Sequence, residues 1–163
     1  MPSFDVVNKI DPQTLDNVIN VAKKDILNRY DFRDSKSSIE LDKKNNSLQI
    51  VTENTMRLEH IIDAIRTRMA KQGVDPKALN LGKDEYASGN MIRKDVSIQT
   101  GIDKEIAKKI IKDIKDSKTK VIPAIMDDMV RVTGKKIDEL QEIIALLRSK
   151  DYGIPLQFVN MKS

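Results

Sequence analysis

The sequence predicts an α+β protein made of two tandem copies of one βαββαβ unit. Short stretches with apolar residues at alternate positions, which are typical of strands, are interleaved with four longer stretches whose apolar residues recur every three or four positions, as in amphipathic helices. The order of these stretches over residues 1–81 recurs over residues 91–163. These two observations together indicate a duplicated unit.

The first repeat opens with a strand in which Phe4, Val6 and Ile10 face the core. Asp11 and Pro12 then end the strand and begin a helix, because Asp is a favoured N-cap and Pro a favoured first helical residue. The remaining elements are a long first helix to about residue 30, a hairpin, a second helix ending at Gly73 and a short closing strand. Their apolar residues are Leu15, Val18, Ile19, Ala22 and Ile26; Ile39, Leu41, Leu48 and Ile50; Leu58, Ile61, Ile62, Ile65 and Met69; and Leu79 and Leu81.

The second repeat begins after residues 82–90, which read as a polar connector containing glycine. Asp103 is placed to cap its first helix, and Asp127-Asp128 forms the turn of its hairpin. Its strands and helices are indicated by Val96 and Ile98; Ile106, Ile110, Ile111 and Ile114; Val121, Ile125, Val130 and Val132; Ile137, Leu140, Ile143, Ile144 and Leu147; and Leu156 and Phe158.

The two repeats match residue by residue at a constant offset of 82 in their most regular part. The matched sets are Leu48, Ile50, Leu58, Ile61, Ile62, Ile65 and Arg66 with Val130, Val132, Leu140, Ile143, Ile144, Leu147 and Arg148. The βαββαβ order is that of the ferredoxin-like fold, with both helices on one face of an antiparallel sheet. The other sheet face is left open, and we expect binding there.

Composition narrows the classes of protein. The chain has no cysteine, which excludes disulfides and Cys-ligated zinc, and it shows neither a signal-peptide pattern nor an apolar stretch of membrane-spanning length. We therefore expect a cytoplasmic protein. The net charge of +4 is concentrated in residues 91–120, which carry nine basic and five acidic residues. Such a local excess attracts phosphates, although a solvated helix face is the commoner meaning of a lysine run.

No catalytic, metal or cofactor site is predicted. His60 is the only histidine, and no Asp or Glu cluster has the spacing of metal ligands. Gly82-Lys83 and Gly134-Lys135 lack the glycine that a P-loop requires five positions earlier. Gly134-Lys135 nevertheless lies at a strand-to-helix turn, where backbone amides could hold an anion, or where glycine merely allows the turn. The sequence thus predicts a protein that binds rather than catalyses.

The open face of the second repeat offers candidate ligand contacts. If its valines point inward, alternation directs Lys120, Arg131 and Thr133 outward, together with Ser97 and Gln99 from the strand expected beside them. Outward aromatic residues are absent from these strands, so the base stacking used by RNA-recognition modules is not expected. The face reads either as a surface for phosphates and base edges or as an ordinary solvated face.

Five blocks of sequence resemble the YajQ family of bacterial proteins. They are MPSFDVV at residues 1–7, NRYDFRDSKSSIEL at 28–41, QTGIDKEIAKKIIKDIKDSKTKV at 99–121, MVRVTGKKIDELQ at 129–141 and PLQFVN at 155–160. The resemblance implies two ferredoxin-like domains that exchange their first strands. The first domain would then span residues 11–101, with strand 91–100 contributed by the second repeat, and the second would combine residues 1–10 with 102–163.

The resemblance also implies nucleotide binding, which in some members is recognition of cyclic di-GMP, and control of gene expression through a transcriptional regulator. The basic residues within the matching blocks join the candidate site: Arg33, Lys118, Lys120, Arg131 and Lys135. We therefore predict a non-enzymatic effector that binds cyclic di-GMP, GTP, ATP or a related nucleotide. The alternatives are an RNA-binding protein that uses the same basic half and a protein-interaction scaffold linked to transcription regulation.

Overall fold

The structure, a computed structural model, describes residues 1–163 and contains eight strands and four α-helices. The strands are β1 (Ser3–Val7), β2 (Ser38–Asp42), β3 (Ser47–Thr52), β4 (Leu79–Ala87), β5 (Met91–Ile98), β6 (Ile122–Met126), β7 (Met129–Thr133) and β8 (Gln157–Lys162). The helices are α1 (Pro12–Leu27), α2 (Thr55–Lys71), α3 (Lys104–Asp116) and α4 (Ile137–Arg148). None of the helices is long and apolar enough to cross a membrane.

The strands form two four-stranded antiparallel sheets, in the orders β2-β3-β5-β4 and β6-β7-β1-β8. This confirms the predicted α+β class with two ferredoxin-like units. Contacts divide the chain into a continuous unit, residues 10–99, and a discontinuous unit, residues 1–9 with 100–163. Strand β1 pairs with β7 and β8, whereas β5 pairs with β3 and β4, so each first strand belongs to the sheet of the other repeat.

The helix starts are set by side chains that satisfy free backbone N–H groups. Asp11 accepts from the Gln13 N–H at 3.1 Å, and Asn54 accepts from the Arg57 N–H at 2.8 Å. The predicted cap at Asp103 is confirmed, because its carboxylate accepts from the N–H of Ile106 at 2.8 Å. Only α4 lacks such a bond, since its N-cap residue is Lys136.

Each unit has its own aliphatic core between its sheet and its two helices. In the continuous unit the apolar faces of α1 and α2 pack on β3 and β5, around residues such as Ile19, Ile50 and Ile61. In the discontinuous unit Phe4 and Val6 of β1 are buried among residues of α3, α4 and β7. Strand β1 is therefore an essential part of that core, because burying such side chains provides most of the favourable free energy of folding.

Three expectations about local structure are wrong. Ile10, expected in the first strand, lies beyond the end of β1 at Val7 and packs on the core of the continuous unit. Residues 82–90 do not form a connector: β4 continues to Ala87 and turns directly into β5, with a register shift between Leu81 and Asp84. Sequence alone favoured a loop because the segment is polar, but an edge strand exposed on both faces needs no apolar alternation. Ile125, expected in the core, is 41% exposed, because it lies in the edge strand β6.

Candidate phosphate-binding site

The open sheet face of the discontinuous unit carries Arg131 and Thr133. Along β7 the exposed fraction alternates, with Val130 and Val132 buried and Arg131 and Thr133 half-buried on the opposite face, as period-two geometry requires. The residue directly beside Arg131 in the neighbouring strand is Asp5 of β1.

Ser97 and Gln99 are not beside Arg131, which corrects the expected cluster. Ser97 lies on β5, in the sheet of the continuous unit, opposite Ser47 of β3 and Asn80 of β4. Gln99 follows β5, and its backbone N–H donates to the carbonyl of Ala78. The strand exchange is the reason, because it places β1 rather than β5 next to β7.

Asp5 is a buried carboxylate at the centre of this face, with a side chain that is only 3% exposed. Arg131 Nε donates to Asp5 Oδ1 at 2.9 Å, and Asn160 Nδ2 donates to Asp5 Oδ2 at 3.0 Å. The hydrogen bond from Arg131 lowers the pKa of Asp5 most strongly, against the opposing effect of burial, and the Asn160 bond lowers the pKa further. The charge of Arg131 is thus already balanced within the protein.

The surface around this ion pair is mostly apolar. Ile122 and Met126 of β6 are 62% and 40% exposed, and Val159 of β8, which pairs with Asp5, is 36% exposed. The register places Ala124 opposite Arg131 on its other side. A phosphate on this face would meet one guanidinium that is already paired, the hydroxyl of Thr133, the ammonium of Lys162 near Asp5 and several apolar side chains.

Free positive charge lies instead where β6 begins and where β7 ends. Lys118, Lys120, Lys135 and Lys136, called here the lysine cluster, are all exposed, and none of them forms an ion pair with an acidic residue. Lys118 follows α3 in the left-handed backbone region, with φ +61°. Lys135 and Lys136 precede α4, whose first N–H groups have no side-chain cap.

Two of these lysines lie just beyond the last pair of the β6–β7 ladder. Ile122 and Thr133 are the last paired residues of the β6–β7 ladder. A Cβ on Gly134 would lie 3.1 Å from Val121 Cγ1, so the two chain segments remain adjacent beyond the ladder. Lys120 and Lys135 are the next residues of the two segments, and each lies at a bend just outside its strand. Like charges on neighbouring segments repel each other, and an anion bound close to both would reduce that repulsion.

The comparisons with known proteins identify the family. The family model described as "Nucleotide-binding protein YajQ-like" matches residues 2–162. A protein of Cytophaga hutchinsonii called "Nucleotide-binding protein" is 65% identical over 162 residues, covering 99% of this chain and 100% of the relative. Proteins with the same name are 50% identical in Oleidesulfovibrio alaskensis, over 100% of both chains, and 49% identical in Geotalea daltonii, over 99% of both. The chain belongs to the YajQ-like family.

In this YajQ-like chain the block at residues 28–41 forms a folded loop of the continuous unit. Phe32 is buried, and the guanidinium groups of Arg29 and Arg57 each lie 5.7 Å from the centre of its ring. His60 Nδ1 is 3.1 Å from a carboxylate oxygen of Asp31, so the single histidine contributes to this packing. Arg33 is exposed directly after the 3-10 turn Tyr30–Phe32 and forms no ion pair. The candidate Arg33 is therefore in the other unit from the lysine cluster.

Sequence reasoning missed two features of the continuous unit. One is a set of hydrogen-bond donors around Glu53, contributed by the SKS segment of the matching block. The other is a groove of about 400 Å3 between α2 and β4, with an apolar floor that includes Leu58, Ile62 and Leu81. The SKS segment repeats as SKT at residues 117–119, and that repetition is the signal that could have marked the first feature. No His, Asp or Glu residues group in a way that could hold a metal ion.

Proposed function

We propose that this protein is a non-enzymatic nucleotide-binding effector that recognises cyclic di-GMP or a related purine nucleotide. The observation that carries the proposal is the lysine cluster, four exposed cations without acidic partners at one end of the discontinuous unit. Lys120 and Lys135 hold a phosphate between them, Lys118 and Lys136 add positive field, and the free N–H groups of α4 face the same end. The names of its relatives support a nucleotide as the ligand.

Arg131 has a secondary role in this proposal. Two of its nitrogens point at Asp5, so it can offer a ligand only its remaining donors and little net charge. Thr133 lies between Arg131 and the lysine cluster on the same strand and supplies a neutral hydroxyl. We therefore propose that the phosphate contact lies at the open end of the β6–β7 hairpin rather than in the middle of the sheet face.

Titration calorimetry with cyclic di-GMP, GTP, ATP and a short RNA tests the proposal. The double variant Lys120→Ala/Lys135→Ala should lose affinity for the best ligand by about tenfold or more, since each charge-assisted hydrogen bond to phosphate contributes about that factor. The control Lys104→Ala/Lys108→Ala removes the same charge from exposed positions of α3 and should change affinity by much less. Equal losses in the two double variants would show a general effect of charge and refute the site.

The salt dependence of binding separates a dinucleotide from RNA. Cyclic di-GMP offers two phosphates, whereas a single-stranded RNA that crosses the lysine cluster would contact four or more. Each phosphate contact with a single strand contributes about 0.7 to the log-log slope of affinity against salt, so the RNA slope should be about twice as steep. Nucleotide recovered after long incubation with Mg²⁺ should be chemically intact, and hydrolysis that survives repurification would refute the non-enzymatic role.

A protein-interaction role is favoured by a different observation, the apolar open face of the discontinuous unit. Ile122, Met126 and Val159 are exposed there around a neutralised ion pair, as in surfaces that bind other proteins. An effector needs such an output surface as well as a ligand site. Substituting Ile122 by Asp should abolish partner binding and leave calorimetric nucleotide affinity unchanged, which distinguishes this face from the lysine cluster.

A further inference from the structure

A carboxylate in the continuous unit is held by an unusually large set of donors. Glu53 lies between β3 and α2, and its Oε1 accepts from the Lys36 backbone N–H at 2.6 Å and from Ser35 Oγ at 2.9 Å. Its Oε2 lies 2.8 Å from Ser35 Oγ, 3.1 Å from Thr52 Oγ1 and 3.2 Å from Arg57 Nη1. A backbone amide, two hydroxyls and a guanidinium therefore converge on one anion.

A third hydroxyl completes the set. Ser37 Oγ is 2.5 Å from Ser35 Oγ, 2.8 Å from Thr52 Oγ1 and 3.4 Å from Glu53 Oε2. Ser35, Lys36, Ser37, Thr52 and Arg57 are called here the Glu53 cradle. Glu53 has only two oxygens for these five groups, whereas a phosphate group presents three terminal oxygens in different directions.

The fold does not require a carboxylate at this position. The offset of 82 between the repeats places Lys135 at the position of Glu53 and Gly134 at the position of Thr52. In the discontinuous unit the strand nevertheless ends and α4 begins at the corresponding turn. A strand-to-helix turn of this type therefore forms without an acidic residue, so the donors around Glu53 are not explained by the turn.

The cradle opens to solvent on the side of Lys36 and Arg57, with Thr52 buried at its base, and its charges apart from Glu53 are positive. The side chains of Glu53 and Arg57 are each 28% exposed, so the carboxylate can rotate outward and a ligand can enter. Arg33 and Lys36 are exposed nearby in the chain and form no ion pairs. Burial raises the pKa of Glu53, but hydrogen bonds, with the Lys36 N–H and Ser35 foremost, outweigh it and lower the pKa to about 2. The donors are thus arranged for an anion rather than for a neutral group.

We propose that the Glu53 cradle is a binding site for the phosphate group of a phosphate monoester, with the Glu53 carboxylate as its resting occupant. When Glu53 rotates into solvent, the phosphate accepts from the Lys36 N–H and the three hydroxyls, and Arg57 balances its charge. The step is an exchange of anions in which no covalent bond changes. The site lies in the continuous unit, so it is distinct from the lysine cluster and does not depend on the proposed function.

The test titrates inorganic phosphate into three proteins at constant ionic strength. Glu53→Ala removes the resting occupant and should bind phosphate at least tenfold more tightly than the unmodified chain. Glu59→Ala is the matched control, because it removes the same carboxylate charge from an exposed position on α2, away from the cradle. Equal affinities in Glu53→Ala and Glu59→Ala would show that Glu53 is only a structural brace and would overturn the proposal.

Two further measurements locate the phosphate. Adding Ser35→Ala to Glu53→Ala should remove the gain in affinity, and a gain that persists would place the phosphate elsewhere and overturn the proposal. In the unmodified chain the amide resonance of Lys36 should shift with phosphate and with GMP but not with guanosine, which lacks the phosphate. This measurement does not depend on the folding of any variant, and an unmoved Lys36 amide at saturating phosphate would also overturn the site.

Discussion

Replacing Asp5 with Asn should weaken the discontinuous unit selectively. Asp5 is 2% exposed and accepts hydrogen bonds from Arg131 and Asn160. Asn has nearly the same shape as Asp but no charge. Its side chain has only one acceptor oxygen, so its NH2 group would face one of the two donors, Arg131 or Asn160, that now point at the carboxylate. The substitution therefore removes a charge-assisted interaction without creating a cavity.

The expected loss follows from the bonds that Asp5 makes. Hydrogen bonds to charged groups contribute about 1.5–3 kcal/mol, and the buried donors left facing an amide add to the loss. Arg131 is 42% exposed and can turn to water, which limits the effect. We expect the free energy of unfolding to fall by about 1.5–3 kcal/mol at neutral pH.

The effect should disappear in acid. The pKa of Asp5 is lowered in the folded protein from its ordinary value of 3.8, chiefly by the Arg131 hydrogen bond. A carboxyl with a lowered pKa contributes stability that is fully present above its unfolded pKa and is lost as the pH falls through its folded pKa. The difference between the parent and Asp5→Asn should therefore shrink below about pH 4.

Urea unfolding at pH 7 and at acidic pH measures this difference, and hydrogen exchange at Val130–Thr133 assigns it to the discontinuous unit. Asp16→Asn serves as a control, because it removes a carboxylate from a surface ion pair with Lys43 and should change stability little. Equal stability of the two variants at pH 7 would refute the role of Asp5. So would a difference that persists unchanged at low pH.

Three further results are expected. Deleting residues 1–9 should abolish hydrogen-exchange protection at Val130–Thr133 while leaving the continuous unit folded, because β1 is a central strand of the other sheet; retained protection at Val130–Thr133 would contradict this role of β1. Gly101→Ala should destabilise the protein by about 1–3 kcal/mol. Gly89→Ala should cost less, because both glycines have positive φ but only a Cβ on Gly101 would lie 2.9 Å from a side-chain atom, Oδ2 of Asp128. Thermal unfolding of the two variants gives the comparison. Tyr152 should ionise at higher pH than a free tyrosine, because burial and its hydrogen bond to Asp113 raise its pKa. An alkaline titration of the tyrosinate absorbance, compared between the parent and Tyr152→Phe, measures the ionisation of this residue.

The position of Arg131 could be predicted from sequence, but its chemical role could not. Alternation along β7 is a local property of the chain, so the outward direction of Arg131 follows from the buried valines beside it. Its partner Asp5 is 126 residues away, and the pairing arises only when β1 is inserted next to β7. Ser97 was expected beside Arg131 because sequence order alone places β5 in the second repeat, next to β7. The fold places β1 there instead.

For the candidate phosphate contacts, too, the sequence shows the residues and only the fold shows their neighbours. Lys120 and Lys135 are visible in the sequence as basic residues near a turn, but the approach of their chain segments depends on the β6–β7 register and on the contact of Gly134 with Val121. Glu53 gave no signal by itself, because a single glutamate before a helix is ordinary. Only the folded loop shows that Ser35 and the Lys36 amide converge on it.

The sequence by itself determined the α+β class, the duplication and the starts of α1 and α3, because these depend on periodicity and capping within short stretches of chain. The resemblance of five blocks supplied the family and, with it, the exchange of first strands. Only the tertiary structure decided which charges are free, since that depends on strand neighbours distant in the chain. It neutralised Arg131 with Asp5, left Lys120 and Lys135 unpaired, and surrounded Glu53 with donors. Charge pairing requires contact, and contact between distant residues is fixed by the fold rather than by local pattern.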